Sequence, residues 1–368
     1  MLPKEYCFAP SVFAVGENYI ICTWLNVEAT ALVKIGDDVF YDSSNGILRS
    51  KKSLHIIEVP MDVLDKVGEY TLIVREFTDR CPYFPKSCEP SEYTVKFKGI
   101  SDKEEIRISY LSDTHGRTEA PIKAASYFGD SLDLLVLGGD IADHSGEIEN
   151  FKTLYALAGA VTGGKVPCIF TRGNHDLRGA CAEMLADYTP TNGGKSYFTT
   201  RLGPLWALCL DCGEDKNDGC NEYGHTVACH DFRLRETAFI NKVIEKKSAE
   251  YEADGVKYKL LMSHVPFAQR YEDPFNPEEE IYTEWCRLCR EEIKPELWLC
   301  GHKHVARISR VGGELDHFGQ PCDCVIGARP NFTEGTFVSA HIILGKNSDK
   351  VIFFDDGGNI VGEDTVTK

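Results

Sequence analysis

Five polar blocks, each closing a short apolar run, constrain this chain more than any other feature of its sequence. The runs "IRISYLS", "LDLLVLGG", "VPCIFTR", "YKLLMSH" and "ELWLCG" read as buried strands. They end in "SDTHG", "GGDIAD", "RGNHD", "SHVPF" and "CGHKH". Four more runs of the same kind follow from residue 205 onward: "LWALCLD", "CDCVIGA", "FVSAHIIL" and "KVIFFDD". Helical patterns lie between the early strands, in "EIENFKTLYALAGAV" and "DFRLRETAFINKVIEKKSAE". In the second, Phe239, Ile240, Val243 and Ile244 share one face, and Asp231 is a candidate N-cap. Strands alternating with helices predict a layered α/β arrangement with helices covering sheets.

The first hundred residues follow a different rule. Short alternating or aromatic-rich runs recur ("YIICTWLNV", "TALVKIGDDVFYD", "SLHIIEVPM", "EYTLIVREF", "EYTVKFKG"), with turn residues between them. This pattern predicts a small antiparallel β-sandwich of the immunoglobulin or fibronectin type over residues 1–100. The α/β unit then occupies residues 101–368, with the boundary in "KGISDKEE".

In α/β sheets, ligand sites gather at the carboxyl ends of strands. The five blocks therefore deliver Asp113, His115, Asp140, Asp143, Asn174, His175, His264, His302 and His304 to one crevice. Carboxylate, imidazole and amide oxygen are ligand types for zinc, iron or manganese. So many donors exceed the needs of one tetrahedral ion and suit two ions sharing a carboxylate, an arrangement suited to phosphoester chemistry. Taken singly, each block has a plain structural reading: a loop carboxylate, a tight turn, a solvated histidine. Five in order, each ending a separate strand, favour the metal reading.

This pattern, D-x-H, G-D-x-x-D, G-N-H-D, a lone His and G-H-x-H, resembles the calcineurin-like metallophosphoesterase superfamily over roughly residues 105–355. The resemblance implies a four-layer fold, two β-sheets flanked by helices. It implies that Asp113, His115 and His304 hold one divalent ion, that Asn174, His264 and His302 hold the other, and that Asp140 bridges. His175 is implied as the group that protonates the leaving oxygen, with Asp143 orienting it. His144 and Ser145 stand where the protein phosphatases of the superfamily carry Arg-Gly. Asp143 stands where the purple acid phosphatases place a metal-binding Tyr. Only the order of a β-sandwich and then a catalytic unit resembles the purple enzymes.

The implied activity is hydrolysis of a small phosphorylated substrate, a monoester or a diester, with manganese, iron or zinc. The rival from another class is a non-catalytic protein-binding scaffold on the same fold. Substrate-contact candidates are Arg117 and Arg172, which could grip phosphate oxygens, His144 beside the second block, and Tyr223, His225 and Tyr271 on long loops after strand ends. For the arginines an ordinary salt bridge is an equal reading.

A net charge of −17 argues against a broad nucleic-acid or anionic-membrane surface. No segment approaches the length of a membrane helix, and the N-terminus does not read as a secretory signal. The 15 cysteines are odd in number and several sit in apolar runs, which predicts reduced thiols and a cytoplasmic protein. A structural zinc site on the pairs Cys209/Cys212 and Cys286/Cys289 is the weaker reading, because the pairs are far apart. The oligomeric state is not legible.

Overall fold

The computed structural model describes residues 2–100, 103–276 and 278–368. The N-terminal strands longer than two residues are β1 (Ser11–Val15), β2 (Asn18–Trp24), β3 (Ala29–Ile35), β4 (Asp38–Tyr41), β5 (Leu54–Pro60), β6 (Glu69–Asp79) and β7 (Ser91–Lys96). After them come β8 (Ile106–Leu111), β9 (Leu134–Leu137), β10 (Pro167–Phe170), β11 (Phe198–Leu202), β12 (Leu205–Cys209), β13 (Tyr258–Met262) and β14 (Leu297–Cys300). The last five are β15 (Ala306–Ser309), β16 (Cys324–Asn331), β17 (Thr336–Leu344), β18 (Ser348–Asp355) and β19 (Ile360–Thr367).

Two sheets carry the α/β part. One runs β11-β12-β13-β14-β16, and the other runs β17-β8-β9-β10. The strand β16 belongs to both: Cys324–Ile326 pair with β14, and Ala328–Asn331 pair with β17. The sheets face each other across the core, where Leu205, Ala207, Cys209, Leu260, Met262, Leu299 and Val325 meet Ile108 and Leu135. The alternate residues Trp206, Leu208, Leu261 and Trp298 turn outward onto α-helices His230–Glu245 and Glu279–Leu288. Burial on both faces explains why these strands read as unbroken apolar runs. Together with helix Lys152–Thr162, which buries Leu154, Tyr155 and Leu157, this gives the expected four-layer sandwich.

The helix His230–Glu245 buries Ile240 and Val243, with Phe239 and Ile244 packed beside them. Its cap is not Asp231, which lies in the first turn. Asp218, from the preceding loop, accepts the N–H groups of Cys229 at 2.7 Å and His230 at 3.1 Å. A capping carboxylate supplied from outside the helix satisfies the same orphan donors as a local N-cap. Four strands that the apolar pattern did not reveal are β1, β11, β15 and β19. The last is mostly exposed and polar, so it carries no apolar run to read.

In the N-terminal region, β7-β6-β3-β4 form one sheet and β5-β2-β1 lie across from it. The second of these does not end at the sandwich. β1 pairs in parallel with β10, Val12 opposite Pro167 and Phe13 opposite Cys168, so the ladder continues into the sheet that carries the polar blocks. The expected boundary adjoins residues 101 and 102, which lie outside the described residues. All fifteen cysteines are free thiols. Among the described residues no metal-capable cluster includes a cysteine, and no helix is long and apolar enough to cross a membrane.

Candidate metal centre

The polar blocks occupy the turns leaving β8, β9, β10, β13 and β14. Their backbone is unusual. Nine non-glycine residues among those described have positive φ, and five are Asp113 (53°), His115 (46°), Asp140 (51°), His302 (68°) and His304 (51°). Such conformations are disfavoured for residues with a Cβ and concentrate at functional sites. The glycines permit a close approach. A Cβ on Gly173 would lie 2.3 Å from Asp140 Oδ1, and one on Gly301 would lie 2.5 Å from Asp113 Oδ2. Any larger residue would push a carboxylate out of the cluster.

The side chains form three groups whose donor atoms all lie within 4.8 Å of one another: Asp113, His115 and His304; Asp140, His264 and His302; and His115, Asp143 and His175. His115 Nε2 faces His304 Nε2 at 3.2 Å, and His304 Nε2 is 3.4 Å from Asp113 Oδ1. His264 Nε2 is 3.0 Å from Asp140 Oδ2 and 3.8 Å from Asp113 Oδ1. Asn174 joins the second group, its Oδ1 lying 3.1 Å from His302 Nδ1. Asp140 Oδ1 accepts the His175 N–H at 2.8 Å, and Asp113 accepts the His302 N–H at 2.9 Å. Each strand end is thereby tied to a neighbour through a carboxylate.

Electrostatics fit cation binding. Burial lowers the pKa of His115 and takes that of His302 down to about 4, which favours the neutral imidazoles a metal needs. Burial alone would lower His264 as well, but the charges of Asp140 and Asp113 outweigh desolvation and lift it to about 10. Burial alone would raise Asp113, yet the charge of His264 carries it below the usual carboxylate range. The His264 Nδ1–H donates to the Gly138 carbonyl oxygen at 2.8 Å, while its Nε2 is buried without a hydrogen-bond partner. A fixed Nδ1–H with Nε2 turned into a carboxylate pair is how metal-ligating histidines are held. These donors fit divalent cations.

His175 and Asp143 meet in an unexpected way. The His175 Nδ1–H donates to the Asp143 main-chain carbonyl at 2.9 Å, and the Asp143 carboxylate is 4.0 Å away. That carboxylate lies nearer to His115 Nδ1, at 3.2 Å. Asp176, next to His175 in sequence, is buried and accepts the N–H groups of Asp140 at 3.1 Å and Gly173 at 2.9 Å. Burial, with the charge of Asp140, raises its pKa to about 7.

The substrate-contact candidates scatter. Arg172 Nε pairs with buried Asp211 at 2.6 Å, and its guanidinium lies 5.3 Å from the Phe232 ring. Arg117 donates to the Thr114 and Asn331 carbonyls and stacks on Phe332. Neither guanidinium is arranged as a free phosphate fork. His144 Nδ1 accepts the Gly146 N–H at 3.0 Å and is exposed. Tyr223 packs against Arg178 and Lys216 and lines a cavity of about 520 Å³ with Arg178, Glu214 and Cys229. His225 is exposed, its Nδ1–H held by the Gly219 carbonyl at 2.7 Å, and does not line that cavity. The ring of Tyr271 is 6.1 Å from that of His302.

Sequence reasoning missed Asp215. Its Oδ2 is 3.7 Å from His302 Nε2, on the side of the ring opposite Asn174. Arg178 and Lys216 each reach Asp215 Oδ1 at 3.0 Å. Lys216 is buried, its ammonium 4.7 Å from both Tyr223 and Phe275. The signal was present: β12 also ends in polar residues, "DCGED", but without a histidine.

The model of calcineurin-like phosphoesterases matches residues 106–306, more than half of the chain. No curated protein matches in sequence. Among solved structures, the purple acid phosphatase PPD1 from yellow lupin (Lupinus luteus) seeds is similar at a TM-score of 0.62 and 12% identity, over 98% of this chain and 74% of that one. PhoD is similar at a TM-score of 0.57 and 12% identity, over 100% of this chain and 90% of that one. At this identity the likeness is one of fold, and it extends over the N-terminal strands as well. The strand-end donors and the matched segment coincide, and the chain belongs to the calcineurin-like phosphoesterase family.

Proposed function

We propose that the chain hydrolyses a small phosphorylated substrate with two divalent cations. Asp113, His115 and His304 would hold one, Asn174, His264 and His302 the other, and Asp140 would serve both. A bound pair supplies charge neutralisation at the phosphoryl oxygens and a water acidified toward neutral pH. The rest falls to the protein. His175, half-buried beside Asp140, has its Nδ1–H fixed by the Asp143 carbonyl, so the protonated ring presents Nε2–H. As water oxygen bonds to phosphorus and the ester P–O bond breaks, that proton passes to the departing oxygen. Asp143 sets the ring's orientation through its main chain and steadies His115 through its carboxylate.

The observation that carries this reading is His264 Nε2, buried, without a hydrogen-bond partner, and aimed at Asp140 and Asp113. The test is an assay of metal-stripped protein reloaded with manganese, iron or zinc, on para-nitrophenyl phosphate and its bis ester. Turnover that appears only on reloading supports the reading, and the preferred ester separates monoesterase from diesterase. Absence of metal-dependent turnover across both esters and all three metals would overturn it.

A further inference from the structure

Phe332 stands out among the apolar side chains near the centre. It follows β16 in the turn to β17 and is 56% exposed. Its ring centroid is 5.4 Å from that of His115 and 5.7 Å from that of His304, tilted by 67° and 57°. A single exposed phenylalanine ordinarily needs no explanation. This one is held in place. Asn331 Oδ1 accepts the N–H groups of Thr333 at 3.1 Å and Glu334 at 3.0 Å, and its Nδ2 donates to Glu334 at 3.0 Å. The turn is locked while its aromatic tip stays open.

Arg117 supports the ring from one side, with Cζ 4.5 Å from the centroid. Its Nε donates to the carbonyl of Thr114, the residue between Asp113 and His115, at 3.2 Å. Its Nη1 reaches the Asn331 carbonyl at 3.5 Å. Arg117 thus clasps the first strand-end loop to the Phe332 turn. Its Nη2 is buried without a partner, so none of its donors is turned to solvent as a phosphate clamp would require. A cation lies over the ring, the imidazoles of His115 and His304 flank it, and more than half of the residue stays exposed beside the proposed reaction centre. Aromatic rings stack there without demanding hydrogen-bond complementarity.

Building on the proposed hydrolysis, we infer that Phe332, backed by Arg117, is a stacking platform for a planar aromatic group on the substrate. It determines specificity: a phosphoester carrying an aryl ring or a nucleobase is preferred over an alkyl phosphoester. Arg117 is a positioning residue, acting through Phe332.

The test compares wild type with Phe332→Ala, Phe332→Trp and Arg117→Ala, full-length and manganese-loaded. Hydrolysis is read on phenyl phosphate, a nucleoside monophosphate and an alkyl phosphate. Binding is read separately as inhibition or calorimetric affinity of phenylphosphonate against methylphosphonate, which needs no turnover. Phe332→Ala should raise KM for the preferred aromatic substrate about tenfold. It should leave kcat and the alkyl substrate within twofold, and erase the preference for phenylphosphonate. Phe332→Trp should retain that preference. Arg117→Ala should weaken it, with no further loss when combined with Phe332→Ala. Which aromatic substrate responds separates an aryl group from a nucleobase. A phosphonate preference lost in Phe332→Ala upholds the platform even if no ester is hydrolysed, an outcome that sinks only the hydrolytic reading. Hydrolysis with the aromatic preference intact in Phe332→Ala, or an equal loss on all substrates, overturns the platform.

Discussion

His264 donates its Nδ1–H to the Gly138 carbonyl at 2.8 Å and so holds Nε2 at 3.0 Å from Asp140 Oδ2. The two residues come from strands in different sheets, β13 and β9. Their meeting is what makes the two halves of the sandwich one site. The Gly138 carbonyl belongs to the turn that carries Asp140, so the element that orients the imidazole also supplies its carboxylate neighbour.

His175→Ala should separate proton donation from cation binding. His175 lies outside both proposed ligand groups, so metal content should match wild type by elemental analysis. Turnover on an alkyl phosphate, whose leaving oxygen needs a proton, should fall by roughly 10²–10⁴. Para-nitrophenyl phosphate, with its good leaving group, should lose less. Unchanged turnover on the alkyl ester would remove His175 from the mechanism.

Asp215→Asn should weaken binding of the cation proposed for His302. With Nδ1 turned to Asn174, the ring presents Nε2 to Asp215, and a carboxylate there fixes tautomer and orientation. Losing such a support typically costs 10–100-fold in metal affinity. Metal titration of the stripped variant should show one weakened site of about that size, with activity restored by excess metal. Wild-type affinity at both sites would dismiss this role.

How much of this was legible in the sequence follows the locality of each signal. Asp113, His115, Asp140, Asn174, His264, His302 and His304 could be read because each lies in a short strand-to-turn block whose place in an α/β sheet is set by general rules. Asp215 sits at an equivalent strand end, but a run of carboxylates reads as an ordinary solvated loop. Phe332 was invisible because its meaning lies in contacts with His115 and Arg117, more than 200 residues earlier in the chain. Asp143 was noticed for its carboxylate, whereas the contact with His175 uses a main-chain oxygen, which every residue has. The parallel pairing of β1 with β10 joins segments about 150 residues apart, beyond what local patterning encodes.

That pairing leads to a prediction about the N-terminal region, which we propose is a packing unit spanning residues 1–100. Removing it would strip β10 of one hydrogen-bonded neighbour and uncover Tyr155, whose ring is 6.1 Å from that of Phe13 and 5.7 Å from that of Trp24. An open apolar edge promotes association. The truncated protein should be aggregated or strongly destabilised by size-exclusion chromatography and thermal melting. A soluble, monodisperse fragment with wild-type melting would show that the region is an independent module.

His341 should make stability fall in mild acid. It is buried, with Nδ1 3.0 Å from Ser109 Oγ and Nε2 2.9 Å from Ser339 Oγ. Burial lowers its pKa from 6.5 to about 4. Between those values the unfolded chain binds a proton that the folded chain does not, so stability rises with pH and is lost as pH falls from 6.5 toward 4. From pH 7 to pH 5 the loss is about 2 kcal/mol. In urea unfolding, His341→Gln should lose less stability than wild type over that interval by about this amount. Equal losses would mean that His341 does not titrate as described.

The central claim is that Asp140 serves two cations at once. Its most direct test is the metal content of Asp140→Asn beside wild type, both stripped, reloaded with manganese and measured by elemental analysis. Wild type should hold two ions per chain and the variant at most one, with hydrolysis lost in step. Two ions retained at full occupancy in Asp140→Asn would contradict it.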